Sequence, residues 1–299
     1  MYEYVCCDLC GSSNHKILYS KIDYVTNWEF HVVRCDCGMV FVNPMPLQEH
    51  LNLLYPHHYL DEKPLLDDLY KRMLNTVPSH VSGHRLLDIG CGSGDFIRYA
   101  NSQGWVAEGV DFTNWIEKEE DIKITVGEFP LMDIPDSSFD VITAWAVMEH
   151  VRTPSQYFEK IGMLLRPNGK FIFTVPNVAS PGMSYSCDED TPRHLWLFTP
   201  KAIKEYLEKY GMKLERSIHD GSIYRAYPFG LVRRGYYSLL GRKDLSCKMY
   251  QNKSIALLKN KPIDIHFRRW INDVFGQLSL LDIGIDAIDF GLGLLVGSL

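Results

Sequence analysis

From Arg85 onward the chain alternates short apolar runs with amphipathic stretches. RLLDIG, WVAEGV, IKITVG, FDVITAW and GKFIFTV read as strands, and segments of helical periodicity separate most of them. That alternation predicts an α/β fold, a parallel sheet with helices on both faces. A helix is expected over residues 200–210, opening with Pro200 and closing at Gly211, with MKLERSI as a strand behind it. The apolar run FGLGLLVGSL supplies a last strand, seven in all.

The pattern before Arg85 is different. VFVNPMP ends in prolines, and spaced Leu, Tyr and Met over residues 47–77 predict helices leading into the main domain. Four regions follow: a head over 1–46, a helical connector or lid over 47–80, the α/β domain over 81–222, and a covering insertion with the final strand over 223–299.

Composition narrows the class. With 299 residues and 46% hydrophobic content the chain can bury a sizeable core. Thirty-one basic against 37 acidic side chains give a net charge of −6, so nucleic acid is not an expected partner. The most apolar stretch is interrupted by Asp282, Asp286 and Asp289, which excludes a membrane span. MYEYVCCDLC lacks the features of a signal peptide, so a cytoplasmic, reducing location is expected and disulfides are disfavoured.

Five of the eight cysteines nevertheless crowd into the first 37 residues. Cys7 and Cys10 are followed by Gly11, Cys35 and Cys37 by Gly38, with 24 residues between the pairs to form a β-ribbon. Four thiolates in two glycine-followed turns suit a tetrahedral structural zinc. The second pair is one residue shorter than the usual spacing, which leaves Cys6 or His31 as a substitute for one paired thiolate.

The sharpest chemical signal is Leu86-Leu87-Asp88-Ile89-Gly90-Cys91-Gly92-Ser93-Gly94, a strand running into three alternating glycines and then a helix. Missing side chains let a ligand lie against the backbone. Asp111 ends the second strand, 21 residues beyond Gly90, where a carboxylate can accept both hydroxyls of a ribose. Dinucleotide sites favour G-x-G-x-x-G, whereas this run is D-x-G-x-G-x-G. An NAD-dependent dehydrogenase is therefore the alternative rather than the expectation.

The run, together with GVDFT, VGEFP, FDVITAWAVMEHV and LLRPNGKFIFTVPN, resembles the class I S-adenosylmethionine-dependent methyltransferases over about residues 84–220. The resemblance implies a Rossmann-like, mostly parallel seven-stranded sheet and a cofactor without phosphate. It places Gly90, Gly92 and Gly94 along the methionine and ribose, and has Asp88 orient the loop or the cofactor's amino group. It assigns Asp111 to the ribose, Glu128 to the adenine amine and Phe112 to the adenine ring.

Because a sulfonium methyl is already activated, acid–base residues serve the acceptor, and a histidine near neutrality is the natural base. His194, after the fifth strand, is the first candidate; His150, beside Glu149 at the end of the fourth strand, is the second. Related ubiquinone-pathway O-methyltransferases carry a further glutamate where this chain has Ala146, which argues against a catalytic magnesium. The cysteine head with CGMVFVNP and RHLWLFTP resembles a zinc-headed group of methyltransferases acting on sugars and natural products. Arg193 stands where the deoxysugar C-methyltransferases have glutamate, so O-methylation is expected over C-methylation.

Tyr55 and Tyr59, flanking His57 and His58, are candidate lid residues. Between Arg225 and Lys253 seven basic residues and one acidic one interleave with tyrosines. Such a segment suits an anionic small-molecule acceptor, a sugar nucleotide or a lipid-linked glycan, the latter through peripheral membrane contact. A noncatalytic module that binds a nucleoside and a partner is the reading from another class.

Overall fold

Strands form where β-branched and aromatic residues cluster between glycine-bearing turns, and the computed structural model follows that pattern. It describes residues 2–23, 26–51, 66–79, 81, 83–113, 121–176, 178, 191–218 and 292–298. Tyr55, Tyr59, His57, His58 and the basic segment between Arg225 and Lys253 lie outside the described residues.

The head is built from β1 (Tyr2–Glu3), β2 (His15–Ile22), β3 (Glu29–Cys35), β4 (Val40–Asn43) and β5 (Met45–Pro46). β2 and β3 are the ribbon expected between the cysteine turns, paired antiparallel from His15 with Cys35 to Ile22 with Glu29. β4 extends this sheet along β3, and β1 pairs with β5. Two connector helices follow, α1 (Gln48–Leu51) and α2 (Leu66–Leu74).

The main sheet takes β6 (Arg85–Ile89), β7 (Val106–Asp111), β8 (Lys123–Val126), β9 (Phe139–Trp145) and β10 (Leu165–Pro176), with α3 (Asp95–Ser102) between β6 and β7 and α4 (Pro154–Leu164) between β9 and β10. A short 3-10 turn, Phe129–Leu131, stands where β8 crosses to β9. After it come β11 (Trp196–Leu197), α5 (Pro200–Lys209), β12 (Lys213–Ile218) and β13 (Leu292–Ser298). α5 starts as its sequence dictates: Pro200 sits in the first turn, and Thr199 accepts a hydrogen bond from the Ala202 amide at 3.1 Å.

The strand order is β12-β13-β10-β9-β6-β7-β8. The five strands from β10 to β8 are parallel, and β13 is antiparallel to both its neighbours. This is the Rossmann-like, mostly parallel seven-stranded sheet expected from the sequence. Leu86, Leu87, Val141, Ile142, Phe171, Ile172 and Phe173 are all buried, because a sheet covered on both faces hides consecutive side chains rather than alternate ones.

β11 was not foreseen. Its two residues leave the main sheet and join the head as the outer partner of β4, Trp196 opposite Phe41 and Leu197 opposite Val40. Trp196 is buried and stacks on Phe41 at 5.1 Å between ring centroids. One hydrophobic core consequently runs from Cys7, Val33, Phe41 and Met45 in the head through Trp196 and Tyr206 to Phe158, Phe173 and Leu87 under the main sheet. Among the described residues no helix is long and apolar enough to cross a membrane.

Candidate active site

The winding of the sheet fixes where a ligand can lie. From β6 the chain moves outward through β7 to β8, then returns to place β9 on the other side of β6. In open α/β sheets the crevice at such a reversal, beyond the C-terminal ends of the strands, is the binding site. The glycine run leaves β6 there, and the Glu149–His150 corner leaves β9 there.

Gly90, Gly92 and Gly94 have φ values of +69°, +54° and +76°, all in the left-handed region that favours glycine. They differ in what surrounds them. A Cβ on Gly90 would come 2.5 Å from Val147 Cγ2, whereas one on Gly92 would meet nothing within 4 Å. Gly90 admits a neighbouring chain, and Gly92 borders open space fit for a ligand.

Asp111, at the end of β7, holds the loop: its Oδ2 accepts from the Gly92 amide at 2.8 Å and its Oδ1 from the Thr113 amide at 2.9 Å. A carboxylate oxygen accepts more than one hydrogen bond, so the same group can serve loop and ribose together. Loop orientation was one of the roles expected of Asp88. Asp88, on β6, is 3% exposed and accepts from Thr143 Oγ1 at 2.6 Å. Burial and, to a lesser degree, the charge of Asp111 push its carboxyl up to about 7, against the lowering effect of the Thr143 bond.

Phe112 is 48% exposed beside Asp111, and Glu128 is exposed where the turn after β8 begins. Tyr157, on α4, is a neighbour the sequence reading passed over. Burial, then the charges of Glu128 and Asp111, raise its hydroxyl well above the usual tyrosine range. Its ring contacts Phe129 at 5.4 Å. A tyrosine on an amphipathic helix reads as core in sequence, and no local signal marks it.

The two histidines converge. β9 gives way to Ala146, a residue other than glycine at φ +55°, whose amide donates to Thr174 Oγ1 at 2.9 Å. That left-handed turn throws Val147 over Gly90 and brings Glu149 and His150 to the sheet end. His150 Nδ1 lies 3.1 Å from the Arg193 carbonyl; a carbonyl only accepts, so Nδ1 carries the proton and Nε2 is the basic atom of the neutral ring. Nε2 lies 3.9 Å from Oε1 of Glu149, which is 1% exposed. His194 follows Arg193, and its ring centroid is 4.8 Å from that of His150. The Glu149 carbonyl accepts from the amides of Leu195 and Trp196 at 2.8 and 3.1 Å, which ties the two segments together.

In the head, Cys7 and Cys37 sulfurs are 3.6 Å apart, those of Cys10 and Cys35 are 3.5 Å apart, and all four lie within 4.8 Å of one another. Zinc–thiolate bonds of about 2.3 Å in a tetrahedron require sulfurs roughly 3.8 Å apart, so the set fits zinc. Burial raises the Cys7 thiol strongly and the Cys37 thiol to about 11; at Cys10 burial acts the same way, but the Ser12 amide and the other thiols outweigh it and lower the group. Neither of the two substitutes considered for a ligand, Cys6 and His31, belongs to this four-sulfur group, and His31 Nδ1 bonds Ser20 Oγ at 2.8 Å on the ribbon.

Residues 57–217 match the family model of a methyltransferase domain. A ubiquinone biosynthesis O-methyltransferase of Nitrosococcus oceani is 26% identical over 215 residues, covering 62% of this chain and 91% of that protein. Another protein of that description, from Paraburkholderia phymatum, matches over 109 residues at 29% identity, 33% of this chain and 47% of its own. Among solved structures, a phosphoethanolamine N-methyltransferase of Haemonchus contortus, with phosphomonomethylethanolamine and S-adenosylhomocysteine, superposes with a TM-score of 0.52 at 19% identity, covering 96% of this chain and 68% of that one. A complex of the Haloferax volcanii Trm112 methyltransferase activator with a methyltransferase gives 0.51 at 14% identity, covering 78% of this chain and 91% of that one. At such identities the structural likeness speaks for the fold.

Proposed function

The chain belongs to the methyltransferase-domain family of S-adenosylmethionine-dependent enzymes, and on that premise we propose that it methylates an oxygen of a small biosynthetic intermediate. One observation carries the reading: the glycine loop, held by Asp111, leaves β6 and the corner that carries His150 leaves its neighbour β9 at the same end of the sheet, with His194 beside His150 and Val147 of that corner packed on Gly90.

When bound, S-adenosylmethionine supplies an electrophilic methyl on a sulfonium. Gly90, Gly92 and Gly94 let it lie on the backbone, Asp111 accepts the ribose hydroxyls, Phe112 covers the adenine and Glu128 accepts from its amine. Asp88 orients the glycine loop or the cofactor's amino group. His194 takes the proton of the acceptor hydroxyl, and His150, with its basic Nε2 near Glu149, stands beside it. Alignment of the acceptor and exclusion of water then supply most of the rate. Zinc on Cys7, Cys10, Cys35 and Cys37 organises the head without touching the reacting atoms.

The name carried by the curated relatives supports transfer to oxygen. A sugar-containing acceptor, as a sugar nucleotide or lipid-linked glycan, rests on the resemblance of the zinc head and RHLWLFTP. Calorimetry is expected to show saturable S-adenosylmethionine binding; equal or tighter NAD binding would overturn the reading in favour of a dehydrogenase. With labelled cofactor and extracts containing hydroxylated acceptors, label should enter an alkali-stable methyl ether and S-adenosylhomocysteine should accumulate. Label on carbon would select the C-methyltransferase alternative, and no turnover would select a binding module. His194→Ala should leave cofactor affinity intact and lower turnover about a hundredfold.

A further inference from the structure

We propose that the two cysteine turns of the head set the spacing of His150 and His194 by holding the segments that follow them, and that Asp8, which reaches both α4 and α5, is the positioning residue on the first turn. The importance of that spacing for catalysis rests on the methyl-transfer reading above; the grip itself does not.

The first grip follows His150. Asp8 lies between Cys7 and Cys10, yet its carboxylate is spent on the other domain. Oδ2 accepts from the Ser155 amide at 2.7 Å and from the Tyr206 hydroxyl at 2.8 Å, and Oδ1 accepts from Ser155 Oγ at 2.8 Å. The Ser155 amide belongs to the first turn of α4, whose N-terminal amides lack partners within the helix. Thr153, the residue placed to cap α4, makes no side-chain capping bond. A carboxylate from the head therefore caps the helix that begins four residues after His150, where charge and helix dipole favour it. An ion pair between Glu3 and Arg152 adds a second tie to the same stretch.

The second grip follows His194. The turn that carries Cys35 and Cys37 closes with the Cys35 amide on the Met39 carbonyl at 2.9 Å and passes directly into β4. β4 holds β11, and the Val42 amide donates to the Leu195 carbonyl at 2.9 Å, one residue beyond His194. Lys201 Nζ reaches the Cys37 carbonyl at 3.3 Å, fastening the start of α5 to the same turn. The four sulfurs stand between the two turns, so a metal that joins Cys7 and Cys10 to Cys35 and Cys37 would add to the pairing of His15 with Cys35 in fixing one histidine segment against the other.

The test uses the full chain labelled with 15N and reads histidine ring resonances at fixed pH, with His150 and His194 assigned from His150→Ala and His194→Ala. Asp8→Ala should shift the ring signals of both, leave that of His84 at the opposite end of the sheet in place, and change S-adenosylmethionine affinity by no more than about twofold. Should Asp8→Ala fail to fold, the pair Ser155→Ala and Tyr206→Phe removes two of the three partners without touching a cysteine turn and should move the same signals less. Stripping metal with EDTA should move them too, and zinc should restore them. Ring signals of His150 and His194 that coincide with wild type in the folded variants overturn the proposal, even if methyl transfer is intact. Failure of the wild-type chain to bind the cofactor instead strikes the functional reading and leaves the ring result standing.

Discussion

Gly90 and Gly92 share a backbone conformation but should respond differently to the same substitution. Gly90→Ala adds a Cβ 2.5 Å from Val147 at positive φ and is expected to cost about 3 kcal/mol in urea unfolding. Gly92→Ala meets no neighbour within 4 Å, so it should cost only about 1 kcal/mol while weakening cofactor binding on the order of tenfold by calorimetry. Asp88 gives a pH signature. Its carboxyl rises from 3.8 to about 7 on folding, so the native chain holds that proton more tightly. The contribution to stability is full below pH 3.8 and is lost as pH climbs toward 7. Asp88→Asn cannot ionise and should flatten the slope of unfolding free energy over that window, by up to about 4 kcal/mol, measured with urea from pH 4 to 8. At this scale the glycine loop and the cysteine pairs were legible because each needs a fixed spacing along the chain. Tyr157 and the approach of His150 to His194 were not, since both depend on elements distant in sequence meeting in space.

The elements repeat that lesson. β6, β7, β8, β9 and α5 stand close to where apolar runs and capping residues put them, because each signal is local. β11 escaped since RHLWLFTP carries too few residues to show a period, and its strand character comes wholly from β4 beside it. Trp196 tests that dependence. It is 1% exposed, stacks on Phe41 and donates from Nε1 to the Arg152 carbonyl at 3.3 Å. Trp196→Ala should cost about 3–5 kcal/mol in chemical unfolding. If β11 were a passive surface strand, the loss would fall below about 1 kcal/mol.

For the molecule as a whole, the parallel sense of the central strands could be read from the alternation of runs and the mostly parallel, seven-stranded form from the family resemblance, while strand order could not be read from the runs, because order is decided by crossovers rather than by composition. Nor did the pattern show that head and sheet share one core, a property of faces that meet only after folding. The place of β13 carries a consequence for how the protein is made. Its seven residues slot between β10 and β12, strands that emerge far earlier in synthesis. A ribosome that has not yet released Leu292 therefore holds a chain whose β10 presents a bare hydrogen-bonding edge beside Phe171, Ile172 and Phe173. Cotranslational folding should stall at that stage, and a chain cut before Leu292 should pellet with the insoluble fraction where the intact chain stays in solution.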